Sequence, residues 1–402
     1  MPKVSLHLSY IFFLLTALSG IWMRAVPLFP VADIPYSNVL HGHSHLAILG
    51  WAFLGVFTIF LALFWSGIQA KKQAGLIVVS LAIVSGIMFL AFLYQGYGIF
   101  SIVMSTLHIF IEYWAAVFMF REIRRHDVPK VFRAFINGAL FSLLLSSIGP
   151  FSLGYISANG LKESGFFDMA IYFYLHFQYN GWLTLMSFGL FTYLLHRQKI
   201  FVNDSLLRKG FRIYFTALFP GYFLSVMWVD GVGGYGDVLA VIGGIGQWMG
   251  VILMILSLKG AWSSIKNKWT KVTFISAAVT IGLLLIKSTL ELGMIFPPLA
   301  ELVYQTRSVI IGYLHLTLLG FVSLFIVTLH FMLNLMEANR LKCIGLWIFL
   351  AGFLLNEGLL FLQSLFEWLE YGVLPLYNEG LLTASVLLFI GILGLSPHAL
   401  KR

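Results

Sequence analysis

Residues 39–66 read VLHGHSHLAILGWAFLGVFTIFLALFWS, an apolar run with no Asp, Glu, Lys or Arg. At 1.5 Å of rise per residue, a run of this length crosses the hydrocarbon of a bilayer as a single helix. It opens with His41, His43 and His45. Imidazoles in lipid are costly unless they face the inside of a bundle and do something there. Ligating a metal or haem, or carrying a proton, is the chemistry imidazole offers.

The rest of the chain extends this pattern. Of 402 residues, 60% are hydrophobic and only 10% charged, a composition that excludes a soluble globular domain. Uninterrupted apolar runs predict about twelve spans of roughly 20 residues each. They fall near 6–23, 39–66, 74–94, 98–120, 134–157, 167–195, 209–229, 237–258, 272–294, 308–335, 342–364 and 379–396. The connections are short, so the expected fold is an all-α polytopic membrane bundle, one integral-membrane domain over 1–402. The first run follows Lys3 and ends in Ala17-Leu-Ser-Gly20, which resembles a signal peptide. Its length and the lack of an A-x-A site favour a retained helix.

Basic residues sort by side. Lys71 and Lys72 fall in one loop, and Arg121, Arg124, Arg125, Lys130 and Arg133 in another. Arg197, Lys199, Arg208, Lys209 and Arg212 follow, then Lys259, Lys266, Lys268 and Lys271, then Arg340 and Lys342. With Lys3, Lys401 and Arg402 these make 21 of the 25 basic residues, all on one side of a twelve-span chain. Arg24, Lys162 and Arg307 lie opposite, and Lys287 lies inside a span. The positive-inside rule puts both termini in the cytoplasm. Charges scattered among loops argue against nucleic acid as the partner of the +9 net charge. A single cysteine, Cys343, excludes an internal disulfide, a cysteine zinc site and covalent C-x-x-C-H haem attachment.

In this topology the second, fourth, sixth and tenth spans run from outside to inside. His43 and His45 in the second, His108 in the fourth, His176 in the sixth and His315 in the tenth then share a band roughly 8–15 Å below the outer surface. Carboxylates join them: Glu112 follows His108 by four residues on one helix face, and Glu291 follows Lys287 likewise. Glu357 reaches a similar depth. A buried Lys287 needs a partner, and Glu291 or Glu357 can supply it. His126, His196 and His330 stand at or near basic loops and read as interfacial.

Each constellation has a plain alternative. A haem held by two neutral imidazoles needs histidines on different helices at matching depth, with small residues to admit the macrocycle. His45 or His43 with His315 meets that need, and Gly42, Gly50, Gly55 and Gly320 lie on the same two spans. Otherwise the histidines form an interfacial cluster. His43 and His45, two apart, point to opposite helix faces, so at most one of them is the inward ligand, and helical geometry does not choose between them. His176 with Asn180, beside Tyr179, reads as a metal ligand with a supporting amide, or as interhelical hydrogen bonding. His108 with Glu112 reads as a ligand pair, a proton relay or a structural pair. Gly231-Val-Gly-Gly-Tyr-Gly236, followed by Gly243-Gly-Ile-Gly246, lacks the βαβ context of a nucleotide loop and predicts a turn before a closely packed helix. Asp230 and Asp237 frame that loop. No repeat of the histidine motif stands out in the second half of the chain.

With these residues in place, the chain resembles subunit I of the haem-copper oxidase superfamily, a twelve-helix bundle with internal termini. It is closer in motif to the NnrS-type haem- and copper-containing membrane proteins. Their H-x-H-x-x-x-x-G-aromatic pattern is similar to His43-Ser-His45-Leu-Ala-Ile-Leu-Gly50-Trp51. Their His-x-Leu-Thr-x-Gly pattern is similar to His315-Leu-Thr-Leu-Leu-Gly320, with one extra residue of spacing. The resemblance implies at least one b-type haem, with His43, His45 and His315 as candidate ligands. It further implies a second metal, copper or non-haem iron, at His108 and His176, and outer-shell or proton-relay roles for Glu112, Asn180, Lys287, Glu291 and Glu357. Electron transfer or handling of nitric oxide or oxygen would follow, with a quinone or cytochrome donor and a bacterial inner membrane. The chain departs from an oxygen- or nitric-oxide-reducing subunit in three respects: no adjacent histidines occur between Arg208 and Asp230, His315 has no closely following histidine, and Asn180 stands four residues after His176 where that family has tyrosine. Two rival readings use the same residues: a metal-ion or proton-coupled transporter, and an oxidase-like accessory subunit without a reduction centre.

Overall fold

The computed structural model describes residues 1–29, 34–229 and 231–397. Asp230, Lys401 and Arg402 lie outside the described residues. Within them the chain is 83% helical, in 14 helices and without strands. In chain order these are α1 (Pro2–Ala25), α2 (Tyr36–Phe64), α3 (Lys71–Gln95), α4 (Ile99–Arg125), α5 (Lys130–Ala158), α6 (165–197) and α7 (Asp204–Gly221). Then come α8 (Tyr235–Ser257), α9 (Trp262–Lys268), α10 (Lys271–Gly293), α11 (Pro297–Gln305), α12 (Arg307–Met332), α13 (Arg340–Trp368) and α14 (Tyr377–Leu395).

Among the described residues, ten of these helices are long and apolar enough to cross a membrane. The chain is a multi-pass, all-α membrane bundle. The run near 167–195 is also helical and that near 209–229 is helical as far as Ser225, but polar residues and charges dilute α6 and α7. Helix is the only open-chain element that satisfies every backbone polar group in lipid without help from neighbours. Side chains close helix ends on the basic side: Asn203, Thr270 and Asn339 accept from the backbone N–H groups of Leu206, Thr273 and Lys342.

The chain divides into two compact units. The first comprises residues 1–122 and 318–402, the second residues 123–317, so the boundaries fall inside α4 and α12. In the first unit α13 and α14 pack as a hairpin through small residues. A Cβ on Gly391 would lie 2.5 Å from the Phe349 backbone nitrogen. Trp51 anchors the centre of this unit. Its ring stacks on Phe13 at 4.0 Å, and its Nε1 donates to Ser323 Oγ at 2.8 Å.

In the second unit α7 and α8 make the closest pair. A Cβ on Gly243 would lie 2.1 Å from the Gly221 backbone nitrogen, so only glycine permits this approach. Gly231 and Gly234 have φ of +86° and +77°, and Asp237 accepts from the Gly234 N–H at 3.2 Å. The glycine-rich segment is thus a turn leading into a closely packed helix, as its composition suggests.

Candidate functional site

Three helices are interrupted by π-helical turns, at Leu46–Ala52, His176–Leu183 and Leu316–Ser323. Each begins at a histidine of the expected band or directly after one: His45, His176 and His315. A π turn opens the i→i+4 ladder by one residue and frequently marks a functional site. The three segments align as His45-Leu-Ala-Ile-Leu-Gly50-Trp51, His176-Phe-Gln-Tyr-Asn-Gly181-Trp182 and His315-Leu-Thr-Leu-Leu-Gly320-Phe321. The histidine motif therefore does recur, as His-x4-Gly-aromatic, on α2, α6 and α12. Reading the first copy as H-x-H obscured the spacing that all three share.

Packing explains the other two positions of the motif. Trp51, Trp182 and Phe321 are all fully buried. The glycines admit side chains from neighbouring helices. A Cβ on Gly181 would meet Ser142 Cβ at 2.4 Å, and one on Gly320 would meet the Phe353 ring at 2.5 Å. Hydroxyls close the second and third turns: Thr184 Oγ1 donates to the Tyr179 carbonyl and Ser323 Oγ to the Leu318 carbonyl.

The histidines themselves differ. His45 Nδ1 lies 2.9 Å from the His41 carbonyl, and His315 Nδ1 lies 2.8 Å from the Ile311 carbonyl. Only a protonated nitrogen can donate to a carbonyl, so each ring carries its lone pair on Nε2. His7, at the exposed start of α1, makes the same contact with Lys3, so the bond alone does not mark a ligand. The ring of His45 packs against Phe92 at 4.3 Å between centroids. His43 turns towards α1, its Nδ1 being 3.0 Å from the Thr16 carbonyl and 3.1 Å from Ser19 Oγ.

His108 also belongs to the first unit. It is fully buried, with Nε2 3.1 Å from Ser85 Oγ and Nδ1 3.3 Å from Glu112 Oε1. The second contact is close in distance but lacks hydrogen-bond geometry. Glu357, in the same unit, accepts from Asn356 Nδ2 at 2.9 Å through Oε1, while its buried Oε2 has no hydrogen-bond partner among the described residues. His330 departs from the interfacial reading. Its imidazole is fully buried, beside Tyr10 at 6.0 Å between centroids, and among the described residues neither nitrogen makes a well-formed hydrogen bond, although the Gly55 carbonyl is close. The side chain turns inward before the chain reaches the basic loop at Arg340.

The second unit holds a connected polar network. His176 Nε2 donates to the Leu218 carbonyl at 2.8 Å, and Asn180 Nδ2 lies 3.3 Å from His176 Nδ1. Both imidazole nitrogens are thus engaged with the protein. Asn180 Nδ2 also donates to Glu291 Oε1 at 2.9 Å. Lys287 Nζ reaches Glu291 Oε2 at 2.9 Å and bonds Asn180 Oδ1. Tyr313 donates its hydroxyl to Glu291 Oε1, and Tyr214 donates to the Asn180 carbonyl at 2.9 Å. Lys287 therefore pairs with Glu291, its neighbour four residues on. The Asn180 and Tyr313 contacts bridge helices and had no signature in the chain's spacing.

Among the described residues no cluster of three or more His, Cys, Asp and Glu side chains is arranged to hold a metal ion. No family model matches the chain, and no curated protein matches it.

Proposed function

We propose that this chain is a haem-binding membrane redox protein, in which the π-turn histidines His45 and His315 each serve as a haem ligand through Nε2. The observation that carries the reading is the coincidence of two features that His7 does not combine: a place directly before a π turn and an Nδ1–H anchored on the helix backbone. Each anchors Nδ1–H on the carbonyl one turn earlier, which orients the ring and raises the basicity of Nε2, as in ligating histidines generally. Neutral imidazoles suit a b-type haem, and the single cysteine leaves no covalent attachment to consider.

The haem would supply one-electron chemistry. The protein's part is to hold the imidazoles, bury their surroundings and exclude water. In this reading the chain passes electrons or handles a diatomic gas such as nitric oxide, drawing on a quinone or cytochrome donor in a bacterial inner membrane. His176 and His108 act through hydrogen bonds to Asn180 and Ser85. A proton-coupled transporter is the second reading, favoured by the buried Lys287–Glu291 pair.

Oxidised and dithionite-reduced absorption spectra of the purified protein, with elemental analysis, test the proposal. A Soret band with a sharp reduced α-band, lost in His45→Ala and His315→Ala, is the expected result. A colourless protein from haem-replete cells overturns it and moves the histidines to the transporter account.

A further inference from the structure

The resemblance leaves the ion pair of the second unit with an unspecified outer-shell or relay role, but its two members are unequally buried. Lys287 is sealed, its side chain 1% exposed, whereas the Glu291 side chain keeps 19% exposure. Glu291 lies one turn nearer the end of α10 that faces away from the basic loops. Lys287, Asn180 and Tyr313 all donate to its carboxylate. Tyr179, Tyr214, Tyr304 and His176 are the other titratable groups near enough to interact with it electrostatically.

A fixed ion pair is a poor way to hold helices together, because desolvation cancels most of the attraction and apolar side chains serve as well. This pair has a feature that fixed pairing does not require. The ammonium of Lys287 has a second set of partners. It bonds Asn180 Oδ1 and lies 5.6 Å from the Tyr179 ring centroid and 6.0 Å from that of Tyr313. An amide oxygen and two aromatic faces can hold an ammonium when the carboxylate is neutralised.

We propose that Glu291 is a proton-exchange site, open to the aqueous phase on the side away from the basic loops, with Lys287 as its fixed counter-charge. In the exchange an O–H bond forms on the carboxylate as one breaks on hydronium, leaving water, and the reverse step returns the proton. No electrons move. Lys287 remains an ammonium throughout, held by Asn180 and the two rings. This inference does not rest on haem binding.

Infrared difference spectroscopy on the full chain in lipid nanodiscs, taken across a pH step, reads the exchange directly. The expected result is a carboxylic C=O band that grows reversibly as pH falls and shifts in D2O. Glu291→Gln should abolish it, and Tyr313→Phe should change its frequency, because the tyrosine hydroxyl bonds that carboxylate. A spectrum unchanged by Glu291→Gln overturns the proposal. If that variant does not fold, Tyr313→Phe decides: a band that does not move with it is not the band of Glu291.

Discussion

Lys287 and Glu291 form an ion pair across one turn of α10, Nζ to Oε2 at 2.9 Å, and the two residues are not equivalent. Lysine has Asn180 Oδ1 and two tyrosine faces as further partners. The carboxylate has Asn180 and Tyr313 as further donors, but no second cation bonds it among the described residues. Breaking a buried pair by removing one partner costs about 3–5 kcal/mol. Lys287→Met should fall at the upper end of that range at high pH, where it strands a carboxylate, and lower once Glu291 takes up a proton. Glu291→Gln should fall below it, since the ammonium keeps its cage and glutamine still accepts from Tyr313. The double variant should be more stable than Lys287→Met alone. Unfolding in detergent across the cycle measures this, and a double variant worse than both singles would contradict it.

The close approach of α7 and α8 depends on Gly243. A Cβ there would meet backbone at 2.1 Å, and backbone cannot rotate aside as a side chain can. Gly243→Ala should therefore force the helices apart and cost about 1–3 kcal/mol, the range for overpacking a tight core. Gly282 is the control, because its Cβ would meet nothing within 4 Å. Gly282→Ala should be neutral or slightly stabilising, as alanine is the better helix former. The comparison needs only melting temperatures of the two variants beside the parent.

Ten of the twelve expected spans were legible because a bilayer demands long apolar runs; the other two carry too many polar or charged residues to qualify. The glycine-rich turn before α8 and the Lys287–Glu291 spacing were legible too, since both are local. The π turns were not. An i→i+5 ladder has no compositional mark, and only the structure made His45, His176 and His315 comparable by register. The bonds from Asn180 and Tyr313 to Glu291 join residues 111 and 22 positions apart, beyond what helical periodicity encodes. His330 was misread because nearness to a basic loop in sequence does not determine which way a side chain turns.

His330 itself gives a prediction with a definite sign. Its ring is fully buried, and among the described residues neither nitrogen makes a well-formed hydrogen bond, although the Gly55 carbonyl is close. An unsatisfied buried polar group costs about 1–3 kcal/mol. Replacing it with leucine, of similar bulk, should raise the unfolding temperature of the detergent-purified protein. A marked loss of stability would show that the imidazole has a partner which leucine cannot replace.

His43 and His45 can be separated by experiment. His45 stands at the start of a π turn, with Nδ1 on the carbonyl of its own helix, and its counterpart His315 repeats both features. His43 instead binds α1, through the Thr16 carbonyl and Ser19 Oγ. A ligand and a helix-to-helix tie fail differently. His45→Ala should lose haem while the protein still folds. His43→Ala should keep the haem spectrum and lose about 1 kcal/mol of stability, the usual worth of one buried hydrogen bond. Haem-to-protein ratio and melting temperature, measured on both variants, separate the two roles. Loss of haem from His43→Ala with retention in His45→Ala would exchange the assignments and remove the π turn as the mark of the ligand.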